Sequence, residues 1–282
     1  MTVLALGFAV TAGLVYAAGI WLVPLTDSTD RVVLEAVNPD HYLPGVDEFF
    51  RALSDYTVFL IVWPLLAYMV ALGLYRLFPK RKPLFTGFLV AVTFVVAALA
   101  AMGHIMPNKT YAGANVLLVL WCFAAFGGMA WLFRRIDDDA LHRFGLVFWL
   151  VLVSGILADA GATQPIKNAV ARPRPFNSAN APWNETIRIV PDEVLRGANS
   201  YPSGHTTAAF ALLTPIFWFS RSWRIRASLA CWATLVGVSR VYTGEHFPFC
   251  CIMAALLGFT VGTLVFFILG GRALWRKPVQ TE

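Results

Sequence analysis

Eight long apolar runs dominate this chain, and they settle its solvent before any side chain is read for chemistry. They cover residues 3–23, 57–77, 84–106, 114–133, 144–163, 204–220, 227–243 and 250–270. Each is near the roughly 20 residues that span a bilayer as a helix. The sixth and seventh are short and also fit half-buried core helices, so six spans is the smaller count. Only 13% of the 282 residues are charged, against about 25% in an ordinary soluble domain. The expected fold is therefore all-α: a polytopic membrane helical bundle of about eight transmembrane helices, in a single integral membrane domain over 1–282. The first run has no Lys or Arg before it and further spans after it, so it reads as an uncleaved anchor.

The basic residues order these spans across the membrane. With the N-terminus inside, the loops 76–82, 134–143 and 221–226 and the C-terminal tail fall on one side. They hold 13 of the 22 Lys and Arg residues, as the positive-inside rule expects. Both termini are then cytoplasmic, and the net charge of +6 reads as topology, with no nucleic-acid partner implied. Cys122, Cys231, Cys250 and Cys251 lie in or beside apolar runs without CxxC spacing, which argues against a zinc site or a disulfide framework.

Two connections on the other side are long. In the first, 24–56, Val46, Phe49, Phe50 and Leu53 recur at helical spacing between charged residues. That pattern suits either a short amphipathic helix lying in the interface or a solvated linker helix. The second, 176–201, is polar and joins two of the motifs below, which favours a substrate-facing loop.

Ionisable residues near membrane spans are costly and mark function by default. Three clusters stand at the predicted outer ends of spans: Lys167–Pro175, Pro202–His205 and Ser239–His246. Lys167 and Arg174 are seven residues apart, so a helix leaving the fifth span would carry both on one face. Two fixed cations suit a phosphate dianion, and Arg can fork two of its oxygens. Pro202-Ser203-Gly204-His205 opens the sixth span, and a helix N-terminus with free N–H groups is an anion site. Arg240 and His246 add a third cation and a second imidazole. A neutral imidazole is a competent nucleophile toward phosphorus, and a second histidine is a natural proton donor to the leaving alkoxide. Singly, each cluster also fits a bland reading as snorkelling cations, an N-cap serine or an interfacial histidine. Their occurrence together on one membrane face is what points to phosphate chemistry.

In these residues the chain resembles the type 2 phosphatidic acid phosphatase superfamily, which is marked by K-x6-RP, then PSGH, then SR-x5-H-x3-D. The first motif is complete as Lys167, Arg174 and Pro175, and the second as Pro202 to His205. The third runs from Ser239 and Arg240 to His246 and then departs. The resemblance covers roughly 145–270 well and the first half loosely, leaving 84–133 as an extra helical hairpin beside a six-helix phosphatase core. It implies that Lys167, Arg174, Arg240, Ser203 and the Gly204 N–H bind phosphate. It further implies that His205 protonates the leaving group and that His246 is the nucleophile. No metal and no cofactor is implied. The implied partner is a lipid phosphate in the bilayer, the implied place a bacterial inner membrane, with the site facing the periplasm.

The departure is Cys250, which stands where the superfamily has an aspartate that orients the nucleophilic histidine. A neutral thiol is a poor acceptor for an imidazole N–H, and losing an orienting carboxylate cost about 10⁴ in rate in a serine-protease triad. Three explanations compete: a weakened or inactive relative, substitution by another acid (Asp159, Glu245, Asp192 or Glu193), or an engineered change. Asp159 lies eight residues before Lys167, about 80° around a regular helix from it, which favours a structural pairing over a place at the site. Rival functions are a phosphotransferase using the same residues, a non-enzymatic phospholipid binder and a transporter, whose ionisable residues should lie nearer the midplane.

Overall fold

The structure, a computed structural model, describes residues 2–78, 81–102, 116, 119–190 and 197–270, with the backbone alone over 55–61. Asp192, Glu193 and the basic residues of the tail lie outside the described residues, as does the turn of the 84–133 hairpin. Among the described residues the chain is helical and has no strand, a single antiparallel bridge between Pro173 and Asn199 aside. The α-helices are α1 Thr2–Trp21, α2 Val23–Val37, α3 Val46–Leu77, α4 Lys82–Ala101 and α5 Gly128–Arg135. They continue as α6 Asp138–Ile156, α7 Gln164–Val170, α8 Gly204–Phe219, α9 Trp223–Tyr242 and α10 Pro248–Ile268. Two π-helical stretches, Phe123–Gly127 and Leu157–Thr163, lead into α5 and α7.

Each of the eight apolar runs is helical where it is described, apart from end residues. Thr2–Trp21, Lys82–Ala101, Asp138–Val170 and Pro248–Ile268 are long and apolar enough to cross a membrane, and Val62–Leu77 is a shorter apolar helix. The protein is an integral membrane protein. The sixth run behaves as a core helix: α8 buries Thr206 to Ala209 and Ala211 to Pro215, which is burial all round the helix and not along one stripe.

Chain contacts divide the molecule into two compact units. Of the described residues, one unit, the site unit, joins those up to Thr57 to those from Leu150 onward, and the other comprises those within Val58–Trp149. In the site unit α8 packs closely on α10. A Cβ on Gly258 would lie 2.4 Å from the Thr207 carbonyl, and one on Gly262 would lie 2.7 Å from Thr214 Cβ. The spacing is GxxxG, and the missing side chains let the two backbones touch. This contact sets the depth of the turn that begins α8. The second unit is built on aromatic rings. Tyr68 meets Phe148 and Phe133 with centroids 4.7 and 6.0 Å away, both edge-on, and Tyr75 meets Phe133 and Phe85 in the same way.

The connection 24–56 differs from expectation in two respects. Residues 23–37 form a full helix, α2, opened by Pro24 in its first turn, where a missing N–H costs nothing. The amphipathic segment is the start of the 32-residue α3 and not a separate short helix. Its apolar residues are also divided: Val46 and Phe49 are exposed and Leu53 is buried, and Asp47, Arg51 and Ser54 are buried as well. Those three share one helix face, and they turn inward because the site unit offers them partners. Asp47 takes both terminal nitrogens of Arg188, at 2.8 and 2.9 Å, and the hydroxyl of Tyr242.

Candidate active site

Lys167 and Arg174 do not share a helix face. α7 ends at Val170, and Ala171 follows in the left-handed region at φ 50°, a conformation that costs a non-glycine residue roughly 1–2 kcal/mol. The chain then runs extended. Arg174 N–H donates to the Ala198 carbonyl at 3.2 Å and Ser200 N–H to the Arg172 carbonyl at 2.7 Å. This short ladder lays the K-x6-RP segment beside the segment leading into PSGH, and both motifs converge through it.

The π-helical stretch Leu157–Thr163 alters the helix phase before Lys167. Each residue in it turns through less than the ~100° of an α-helix, so the ~80° offset between Asp159 and Lys167 narrows. A Cβ built at Gly204 would lie 3.9 Å from both Asp159 Oδ1 and Lys167 Nζ. Asp159, which also accepts from Gln164 Nε2 at 3.0 Å, therefore stands at the site and not in a distant pairing. Gly204 is where α8 starts, with Ser203 at its N-cap, and the first turn of a helix carries N–H groups that the helix itself does not use. Ser203 is held in place: its N–H donates to the Cys250 carbonyl at 3.2 Å, and its Oγ accepts from Thr206 Oγ1 at 3.0 Å. His205 occupies the first turn of the same helix.

Arg240 lies in the last turn of α9, and a tight turn brings the chain back over it. The N–H groups of Glu245 and His246 both donate to the Arg240 carbonyl, at 3.1 and 3.0 Å. Gly244 makes this turn at φ 75°, where a Cβ would lie 2.9 Å from Ile187 and 3.0 Å from the Arg188 carbonyl. Glu245, buried to 1% exposure, forms ion pairs with both Arg174 and Arg240, and Arg240 also donates to Ser54. Lys167, Arg174 and Arg240 against the carboxylates of Glu245 and Asp159 leave one net positive charge beside the N–H groups that open α8.

His246 is buried, and its Nδ1 lies 2.7 Å from the Ser200 carbonyl and 3.2 Å from Ser200 Oγ. A carbonyl can only accept, so Nδ1 carries the proton and Nε2 is left with the lone pair. Burial, then the charges of Arg174, Lys167, Arg240 and His205, hold the His246 pKa well below the usual histidine range. The ring is neutral. Glu245 and Asp159 are engaged elsewhere, so neither takes the orienting place opposite Nδ1. Cys250 sits behind the ring and accepts from Ser200 Oγ at 3.3 Å and from Arg172 Nη1 at 3.4 Å.

Sequence reasoning missed the layer behind these groups. Arg172 pairs with Asp30 at 2.7 Å and Asp27 at 3.0 Å, so its charge is matched and it does not join the phosphate cations. Asn38, at the end of α2, donates to the Tyr242 carbonyl at 2.7 Å and to the Arg188 carbonyl at 2.8 Å. Three carboxylates in a nominal loop, Asp27, Asp30 and Asp47, were the available signal. Beside the cradle lies an apolar groove of about 490 Å³, lined by Val33, Phe210, Val238, Val241, Ile252 and Leu256 among others. Thr206 also lines it, and through the bond to Ser203 the groove adjoins the cradle.

A buried histidine ringed by cations at a helix N-terminus, within a membrane-spanning helical fold, defines a membrane protein with a site suited to an anion. The PAP2 superfamily model matches residues 143–273, somewhat less than half of the chain. The match begins after the 84–133 segment. Among solved structures, the crystal structure of the first transmembrane PAP2 type phosphatidylglycerolphosphate phosphatase from Bacillus subtilis is similar at 20% identity. That likeness covers 91% of this chain and 98% of that one, with a TM-score of 0.34, too loose for residues to be equated. No curated protein matches the chain.

Proposed function

We propose that the protein is a membrane lipid phosphatase working through a phosphohistidine at His246. The observation that carries this reading is the ring itself: neutral, buried, and fixed through Nδ1 on Ser200 so that Nε2 holds the lone pair. Nε2 attacks phosphorus as the bond to the lipid oxygen breaks, and His205 gives that oxygen its proton. Water then attacks the phosphohistidine, returns a proton to His205 and releases phosphate with His246 regenerated. Lys167, Arg174 and Arg240, with Ser203 and the Gly204 N–H, hold the equatorial oxygens while charge builds on them. No step calls on a metal or a cofactor.

The apolar groove supports a lipid as the substrate, because a hydrocarbon tail there leaves its phosphate at Ser203. The substrate classes are phosphatidylglycerophosphate, phosphatidate, a polyprenyl pyrophosphate or a lipid A phosphate. The crowding of Lys and Arg into the short loops of the opposite side supports a site facing the periplasm of a bacterial inner membrane. Phosphate release from a panel of these lipids, measured beside His246→Ala, tests the reading. The wild type should release phosphate and carry label from a labelled substrate on His246, and the variant should do neither. Label passing to a second lipid instead of water would make the protein a phosphotransferase.

A further inference from the structure

The His246 ring depends on residue 200 for its orientation, and residue 200 in turn depends on Arg172. Ser200 N–H donates to the Arg172 carbonyl at 2.7 Å. The Arg172 guanidinium then reaches the other side of the ring's segment, where it lies 3.9 Å over the centroid of Phe247, the neighbour of His246. Its Nη1 also meets Cys250 Sγ, which Ser200 Oγ meets as well. Asp30 on α2 completes the arrangement: one oxygen takes Arg172 Nη1 at 2.7 Å, and the other takes the Phe249 N–H at 2.8 Å. Asp30, Arg172, Ser200, Cys250 and His246 are all at most 5% exposed. A pair buried this deeply recovers its desolvation cost only through close geometry, and apart from the bond from Arg172 Nη2 to Asp27 its contacts frame His246.

We propose that Asp30 and Arg172 form a positioning pair for His246, in which a carboxylate from α2 anchors both backbone segments that hold the ring. Arg172 fixes the carbonyl that receives Nδ1–H, and Asp30 fixes the first turn of α10 that follows the ring. With Asp27, Asp30 also balances the Arg172 charge beside an imidazole that becomes cationic when it attacks phosphorus. An unbalanced guanidinium there would oppose the attack. This inference rests on His246 being the nucleophile.

The test compares Asp30→Asn, Asp30→Glu and Asp30→Asn combined with Cys250→Asp in the full chain. Each is followed by kcat and KM for lipid phosphate hydrolysis and by ¹⁵N-histidine NMR of the His246 tautomer. Asp30→Asn should lower kcat by about 10–100-fold, the size seen when partners orienting metal-bound histidines are removed, with little change in KM. It should also mix the two tautomers. Asp30→Glu should recover most of kcat, and Cys250→Asp should restore the Nδ1–H form in the Asp30→Asn background, because it places a carboxylate within reach of Ser200 and Arg172. An unchanged tautomer in Asp30→Asn, or a double variant no better than the single one, overturns the proposal. If the wild type releases no phosphate while Asp30→Asn still mixes the tautomers, the positioning pair stands and the phosphatase reading falls.

Discussion

The two compact units bury different materials. The unit holding Val58–Trp149 closes on Tyr68, Leu72, Tyr75, Phe85, Leu89, Phe133 and Leu141. Its few polar contacts, such as Tyr75 to Asp138 at 2.7 Å and Lys82 to the Ile136 carbonyl at 2.6 Å, lie toward helix ends. The site unit buries Asp30, Asp47, Arg51, Arg172, Arg174, Arg240, Glu245 and His246. Charge inside a membrane protein is expensive, and apolar packing could have stabilised both units. Among the described residues, the unit that carries the candidate site departs from it. Carboxylates of the site unit pair its structural arginines Arg172 and Arg188, which leaves the positive charge of the candidate site to Lys167, Arg174 and Arg240. Stability and chemistry therefore rest on different residues, and mutations can separate them.

The largest effect on folding is expected from Tyr68→Ala. Emptying a buried aromatic site costs about 3–5 kcal/mol, seen as a lower Tm in detergent, while kcat/KM per folded molecule stays unchanged. A fall in kcat/KM would break the division between the units. Lys167→Ala should do the reverse: kcat/KM falls by about 10²–10³-fold, as when one donor to a transition-state oxyanion is lost, with Tm nearly constant. The same variant sharpens the electrostatic part of the comparison. Because burial and neighbouring cations hold the His246 pKa low, the acid limb of kcat/KM should lie below the ~6.5 of an ordinary histidine. The neutral nucleophile then persists as pH falls, and activity is lost only when the ring finally protonates. Lys167→Ala removes one of those cations and should move the limb upward, toward neutrality. The smallest effect is expected from Tyr75→Phe in the aromatic unit. It loses one hydrogen bond to a largely exposed carboxylate, about 0.5–1.5 kcal/mol, with no change in the pH profile.

Much of the site was legible because its chemistry is written in residue types at short spacing. PSGH marks a helix start, and α8 begins there. Ser239 to His246 places an arginine and a histidine across one turn, and the Arg240 carbonyl closes that turn. The geometry of K-x6-RP was not legible. A regular helix through Lys167 and Arg174 was the natural extrapolation, and the left-handed Ala171 ends it. The phase of Asp159 was misjudged for a related reason: a π-helical stretch leaves no mark in hydropathy, yet it rotates everything after it. The segment 24–56 was the largest omission, because its carboxylates acquire meaning only once Arg172 and Arg188 are seen to reach them.

The sequence by itself determined an all-helical membrane protein and pointed to a set of cations and histidines suited to phosphate, because apolar run length and local motif spacing are properties of the chain alone. Only the tertiary structure decided what orients His246. At position 250, where a carboxylate was expected behind the ring, stands a thiol. The ring instead hangs on the Ser200 carbonyl, anchored by Arg172, and Asp30 reaches that arginine from more than a hundred residues away in the chain. Hydrogen bonds of such long range depend on how the helices pack, and no local pattern of residues encodes them.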